Sequence, residues 1–235
     1  MSLKENEFPI MEYDDNPKAV VEPNHEMIDI KLPEKAVFAF VGDIIDRFAQ
    51  EQNLTKMAEF VSITKSYPIY IYNYRGAEIC ICQAPVGAPA AVQIMDWLIG
   101  YGVKVIVSAG SCGVLEDIPE NNFLIPVKAL RDEGTSYHYL RPARFVDLNP
   151  KMVAMIERVL EEKEIPFQEC ITWSTDGFFR ETADKVNHRK KEGCSVVEME
   201  CAALAACAEF RGIEFGQILF TADSLAAIDS HDSRS

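Results

Sequence analysis

The chain has 235 residues, 48% of them hydrophobic and 26% charged, which suits one soluble globular domain with a substantial core and excludes disorder and collagen-like structure. Acidic residues outnumber basic ones 37 to 23, a formal net charge of −14. That sign argues against a nucleic acid partner, although a few cations and helix N-termini could still build a local site for a small anion. Seven cysteines and four histidines include no CxxC pair and no metal-ligand spacing, so the thiols read as reduced core residues and no metal is expected. The N-terminal residues MSLKENEFPI lack a signal-like apolar stretch, and no apolar run reaches the length of a membrane span. The expectation is a cytoplasmic protein with no membrane partner.

In chain order, residues 1–34, rich in Glu, Asp, Asn and Pro, read as an extended N-terminal arm. Ala36 to Val41 is a short apolar run that fits a buried strand, followed by Gly42-Asp43 and a helix near Ile44 to Glu51. Ile69 to Tyr74 and Glu78 to Gln83, separated by Arg75-Gly76-Ala77, predict a hairpin. Pro89 opens a helix that Gly100 and Gly102 stop, and a strand Val103 to Val107 comes next. Strand Phe123 to Val127, helix Pro150 to Lys163, strand Cys170 to Trp173, helices Glu181 to Glu192 and Met199 to Arg211, and strand Phe215 to Thr221 complete the alternation. Strands apolar on both faces, interleaved with amphipathic helices, imply an α/β fold: a three-layer α/β/α sandwich with a mixed central sheet in one domain spanning residues 1–235. Residues 225–235 form a polar tail.

Three segments carry residue types suited to chemistry. Ser108-Ala109-Gly110-Ser111-Cys112-Gly113 follows an apolar strand, and its small residues allow a tight turn whose N–H groups face an anion, or simply a glycine-rich connection. It matches neither GxGxxG nor a P-loop. Glu198 and Glu200 lie in sequence that otherwise reads as buried, where a carboxylate must find partners or titrate. Such a group suits the two hydroxyls of a vicinal diol; the alternative is a pair of glutamates beginning a surface helix. Asp223 ends the strand run LFTAD, as a general acid or as a helix N-cap.

VSAGSCGVL, LRDEGTSYHYL, TWSTDGFFRET, VVEMECAALAACAEFRG and FTADS, in this order and spacing, resemble the nucleoside phosphorylase superfamily that includes uridine phosphorylase and hexameric purine nucleoside phosphorylase. The resemblance runs from about His25 to Ser224. It implies cleavage of an N-glycosidic bond with inorganic phosphate as co-substrate, no cofactor or metal, and self-association as a dimer or as a hexamer built from three dimers. Under it, Gly42 and Arg47 resemble the first phosphate-binding turn, and Ser108, Gly110 and Ser111 the second phosphate segment. Met199 and Glu200 resemble the ribose-contacting pair, Phe178 the aromatic that stacks on the base with Glu198 in the same wall, and Asp223 the acid that protonates a purine. His25 resembles a histidine that reaches a neighbouring subunit's ribose, and Lys65 stands where a partner-subunit Arg is usual.

The departures from the pattern bear on function. Ser108 stands where phosphorolytic members have an Arg, which removes a bidentate phosphate ligand. Lys65 keeps the charge of an Arg but not its planar fork. Arg180-Glu181-Thr182 lacks the Gln-x-Arg pair with which uridine phosphorylases grip uracil. These leave purine and pyrimidine nucleosides, phosphorolysis and hydrolysis, and a non-catalytic nucleoside-binding role as competing expectations. The tail Ile228 to Ser235 replaces the last helix of relatives, so that either it folds differently or a helix is missing.

Overall fold

The computed structural model describes residues 3–227 and 232–233, and everything below concerns these. Ten strands form one sheet: β1 (Lys35–Phe40), β2 (Thr55–Val61), β3 (Ser66–Tyr74), β4 (Ala77–Gln83), β5 (Val105–Val114), β6 (Phe123–Asp132), β7 (Phe145–Asp147), β8 (Phe167–Thr175), β9 (Val196–Glu198) and β10 (Glu214–Ser224). Five helices accompany them: α1 (Ile44–Glu51), α2 (Ala88–Gly100), α3 (Pro150–Glu162), α4 (Ala183–Lys191) and α5 (Cys201–Arg211). The strand order is β10-β6-β8-β9-β5-β1-β4-β3-β2, with β7 on β6. An additional β10–β5 pairing closes β5, β10, β6, β8 and β9 into a circuit.

Alternation along the strands explains the layering. On β1 and β4, Ala36, Phe38, Cys80 and Cys82 face the main core with α2, α3 and α5, while Ala39 and Ile81 turn the other way and pack with Ile45 of α1. Trp173 and Val197 meet Val186 of α4 in a further cluster. The fold is thus mixed α/β with a central sheet, as expected. The β3–β4 hairpin turns through Arg75 and Gly76, both at positive φ (52° and 83°), the signature of a type I′ turn. Asn149 caps α3 by accepting from the N–H groups of Lys151 and Met152.

Three features differ from expectation. Edge strand β2, TKMAEFV, is absent from the sequence reading because its mostly exposed positions carry Lys and Glu and break the apolar run. The short β7 is likewise absent. Above all, Ser108–Gly113 does not turn. Strand β5 runs straight through it to Val114, paired with β10 along its length. Of the tail, Asp232 pairs with Ser224 through two backbone hydrogen bonds at the end of β10; residues 228–231 and 234–235 lie outside the described residues.

Candidate active site

The opening in the sheet follows from how β5 changes neighbours. On one edge it pairs with β10; on the other it pairs with β1 as far as Phe40↔Gly110 and with β9 only from Gly113↔Val197. Ser111 and Cys112 face the gap between these two pairings. A cleft of about 180 Å³ opens there, at the C-terminal ends of β1 and β5, the end at which open α/β sheets hold ligands. Its walls include Gly110, Ser111, Phe178, Glu198, Met199, Glu200 and Asp223, so seven sequence-derived candidates from four separate segments converge on one place.

The glycines here provide room. A Cβ on Gly110 would stand 3.1 Å from the Phe40 side chain, and one on Gly113 would stand 3.0 to 3.2 Å from Leu225, Asp223 Oδ1 and Val197. Neither glycine is at positive φ. Their absent side chains let β1, β9 and the end of β10 close around the cleft, in place of the expected tight turn.

The two glutamates have different environments. Glu198 is 7% exposed and accepts four hydrogen bonds: from Thr172 Oγ1 (3.1 Å) and Ser174 Oγ (2.5 Å) on one oxygen, and from the N–H groups of Glu200 (2.7 Å) and Cys201 (2.6 Å) on the other. Burial raises its pKa and these donors oppose the rise. Ser174 Oγ also accepts from the Ala202 N–H, which ties the Glu198 carboxyl group through β8 to the start of α5. The lone pairs of Glu198 are thus occupied by protein, and Glu198 anchors the start of α5; the expected base contact has little left to bind with.

Glu200 accepts a hydrogen bond from the Gly87 N–H at 2.5 Å. Burial first, and then the charge of Glu198, push its carboxyl up to about 8. It is the group in the cleft with acceptor capacity to spare. Phe178 is half exposed and meets Phe179 edge-on, with ring centroids 5.0 Å apart, at the cleft mouth.

Other candidates do not reach this cleft within one chain. Gly42 has φ +62°, but the cleft lining excludes it, and Arg47, largely exposed, faces Asp43 at 3.5 Å. Lys65 donates to Gln83 (3.3 Å) and lies over the Tyr67 ring. Ser108 is fully buried and is not part of the lining, so a direct phosphate contact through its hydroxyl has no access in this arrangement. His25, its Nδ1 3.0 Å from the Glu22 carbonyl, lines a different and larger cleft of about 760 Å³ between the N-terminal arm and helices α2 and α5. That larger cavity holds no other named site residue; its floor is the Asp96–Arg211 ion pair (2.7 Å), a packing feature.

The lining also contains groups that segment-by-segment reading does not find: Phe40, Val86, Cys112, Glu181, Val197 and Gln217. Most sit in apolar runs with no signal of their own. Gln217 had one, as the polar residue inside the strand FGQILF. Among the described residues, the lining contains no Arg or Lys, no helix is long and apolar enough to cross a membrane, and no cluster of three metal-ligating side chains occurs.

Known proteins resemble the chain in sequence and in fold. The chain is 27% identical over 186 residues to a guanosine phosphorylase of Halorubrum lacusprofundi, covering 78% of this chain and 75% of the relative. The fold is that of a Toxoplasma gondii purine nucleoside phosphorylase (TM-score 0.74, 19% identity, 87% and 84% of the two chains) and of a Vibrio fischeri uridine phosphorylase (0.71, 22%, 85% and 84%). The family model described as the phosphorylase superfamily matches residues 35–234, the whole stretch from β1 past the cleft's last strand, and the chain belongs to that superfamily.

Proposed function

We propose that the protein is a nucleoside phosphorylase that cleaves the N-glycosidic bond of a ribonucleoside, purine in preference to pyrimidine, to give free base and ribose 1-phosphate. The observation that carries this reading is the convergence of Ser111, Glu200, Met199, Phe178 and Asp223 on one cleft. Glu200 accepts the ribose 2′- and 3′-hydroxyls and Met199 packs beside the sugar. Phosphate, bound along Gly110 and Ser111, attacks C1′ as the bond to the base breaks, and its charge stabilises the oxocarbenium-like transition state. Asp223 donates a proton to the leaving purine, a step that contributes about two to four orders of magnitude in rate. The purine preference is supported by Asp223, by the missing Gln-x-Arg pair and by the name of the guanosine phosphorylase relative. No metal or organic cofactor has a role in this scheme.

The absence of Arg and Lys from the cleft lining has two readings. In the first, a second copy of the chain supplies the cations, with Lys65 and His25, both outside their own chain's cleft, completing a neighbour's site in a dimer or hexamer. In the second, the nucleophile is water and the reaction is hydrolysis, which needs no anion site. Incubating the protein with guanosine, inosine, adenosine and uridine, with and without phosphate, separates them. Ribose 1-phosphate formed only with phosphate supports phosphorolysis; free ribose formed at an undiminished rate in phosphate-free buffer overturns it.

A further inference from the structure

Gln217 lies in the middle of β10, 2% exposed, and lines the cleft. Its Oε1 is buried with no hydrogen-bond partner in the protein. Its in-register neighbour on β5 is Ser108, whose fully buried Oγ also has none. Two orphaned polar groups side by side on adjacent strands are costly, since each carries a desolvation penalty that an apolar side chain of similar size would avoid. Few such atoms occur among the described residues; of them only Gln217 lines the cleft, with Ser108 behind it on β5.

The surroundings say where a ligand would be. Gly110 pairs with Leu219, one step along the same face, and lines the cleft. Asp223, the proposed acid at the base, lies six positions further along β10, past the register shift that begins at Thr221, and lines the same cleft. Glu200, the sugar ligand, lines the same cleft. Gln217 is therefore at the end opposite the base, beneath Gly110 and Ser111, where the attacking group is placed in the scheme above.

We propose that Gln217 is a phosphate ligand, donating a side-chain N–H to a phosphate oxygen, with Ser108 as the positioning residue beside the amide's other end. The proposal rests on the phosphorolytic reading and deepens it. It also gives the Ser108 departure a physical meaning. A neutral amide and hydroxyl occupy the floor of the anion site, where they supply hydrogen bonds and direction but no charge. The site then depends on the transition state, or on a neighbouring copy, for charge balance.

The test uses the full chain with steady-state kinetics in phosphate and in nucleoside, alongside thermal unfolding. Gln217→Met keeps length and removes the amide; Gln217→Glu keeps shape but places a carboxyl beside the anion. Losing one hydrogen bond to a charged group predicts a KM for phosphate raised about tenfold or more by Gln217→Met, with the KM for nucleoside within about twofold and the unfolding temperature equal or higher. Gln217→Glu raises the phosphate KM further, and more steeply at higher pH. A phosphate KM unchanged in both variants, in a wild type that requires phosphate, overturns the assignment and leaves the phosphorylase reading standing. A lowered unfolding temperature with kcat and both KM values scaled together also overturns it, as the mark of a packing role. A wild type that needs no phosphate overturns the reading on which it rests.

Discussion

On β8, Trp173 and Ser174 are neighbours that serve two opposed carboxylate regions. Trp173 Nε1 donates to Asp132 (3.0 Å) on the α4 side, while Ser174 Oγ donates to Glu198 at the cleft. On the α4 side the acids are clamped by cations: Arg189 reaches both Asp132 and Glu192 at 2.9 Å, and Arg144 holds Glu192 through two hydrogen bonds. The Arg144 hydrogen bond, followed by that of Arg189, holds Glu192 down to about 2. At the cleft, burial and a neighbouring carboxylate raise Glu200 to about 8. The contrast shows how a protein with few basic residues uses them. Guanidinium groups are committed to bracing the scaffold, and the cleft is left with buried acids that no cation of its own lining balances.

The largest expected effect tests whether Glu198 is truly an anchor. Glu198→Ala strands four donors, two hydroxyls on β8 and two backbone N–H groups at the start of α5, and unpaired buried donors cost about 1 to 3 kcal/mol each even after partial relaxation. Unfolding in urea should show a loss of about 3 kcal/mol or more. A loss below about 1 kcal/mol would mean that Glu198 is free to serve a ligand after all.

The clamped region should respond less. Glu192→Ala removes the shared partner of two guanidinium groups, one of which, Arg189, is itself buried; an expected cost of about 1 to 3 kcal/mol lies between exposed and buried ion pairs. Since the folded carboxyl is held below its unfolded value, this contribution is present above about pH 4.5 and is lost as pH falls toward about 2. Acid titration of stability in wild type and Glu192→Ala should therefore converge at low pH; parallel curves would contradict the clamp.

Glu200 has the opposite sign. Its folded value of about 8 lies above 4.5, so the stability it contributes is present below pH 4.5 and is lost as pH rises through 8. A ligand whose hydroxyls donate prefers the carboxylate form, so nucleoside affinity should improve as pH rises from 6 to 8.5, by at most tenfold per unit. Calorimetric titrations over that range should show proton release on binding. Glu200→Gln should flatten the profile, and an equally steep profile in that variant would remove Glu200 from the sugar site.

How much of this was legible in the sequence depended on whether the signal was local. Apolar runs and stop residues located α1, α2 and α3 closely, and Arg75-Gly76 announced the hairpin because a type I′ turn has chemical requirements of its own. The cleft residues Ser111, Glu198, Glu200 and Asp223 were legible because a polar group at the end of an apolar strand has to be accounted for, whereas Met199 and Phe178 came only from the family resemblance. Two kinds of fact were not. Gly110 and Gly113 read as a turn, since glycine's effect on its own backbone is local, whereas their use is to make room for Phe40 and Asp223, which only packing reveals. The partition between Glu198 and Glu200 was equally hidden, because the two hydroxyl donors that complete the hydrogen bonding of Glu198 come from β8, more than twenty residues earlier in the chain.

The smallest expected effect separates glycine as space from glycine as backbone. At Gly113, a methyl group would press on Asp223 Oδ1, Leu225 and Val197, all side chains able to give by a few tenths of an ångström. Gly113→Ala should therefore cost little stability but shift the proposed acid, lowering kcat on a purine nucleoside by about threefold to tenfold, a modest share of the loss that a full 1 Å misplacement brings. Gly212, which ends α5 at φ +70° with nothing within 4 Å of its added Cβ, is the opposite case. Gly212→Ala should cost about 1 kcal/mol through its left-handed backbone and leave kcat unchanged. Measured together, the pair tests whether the glycines around β5 shape the chemistry: loss of stability without loss of rate at Gly113 would reduce them to packing, and the cleft's geometry would then owe its acid's position to β10 alone.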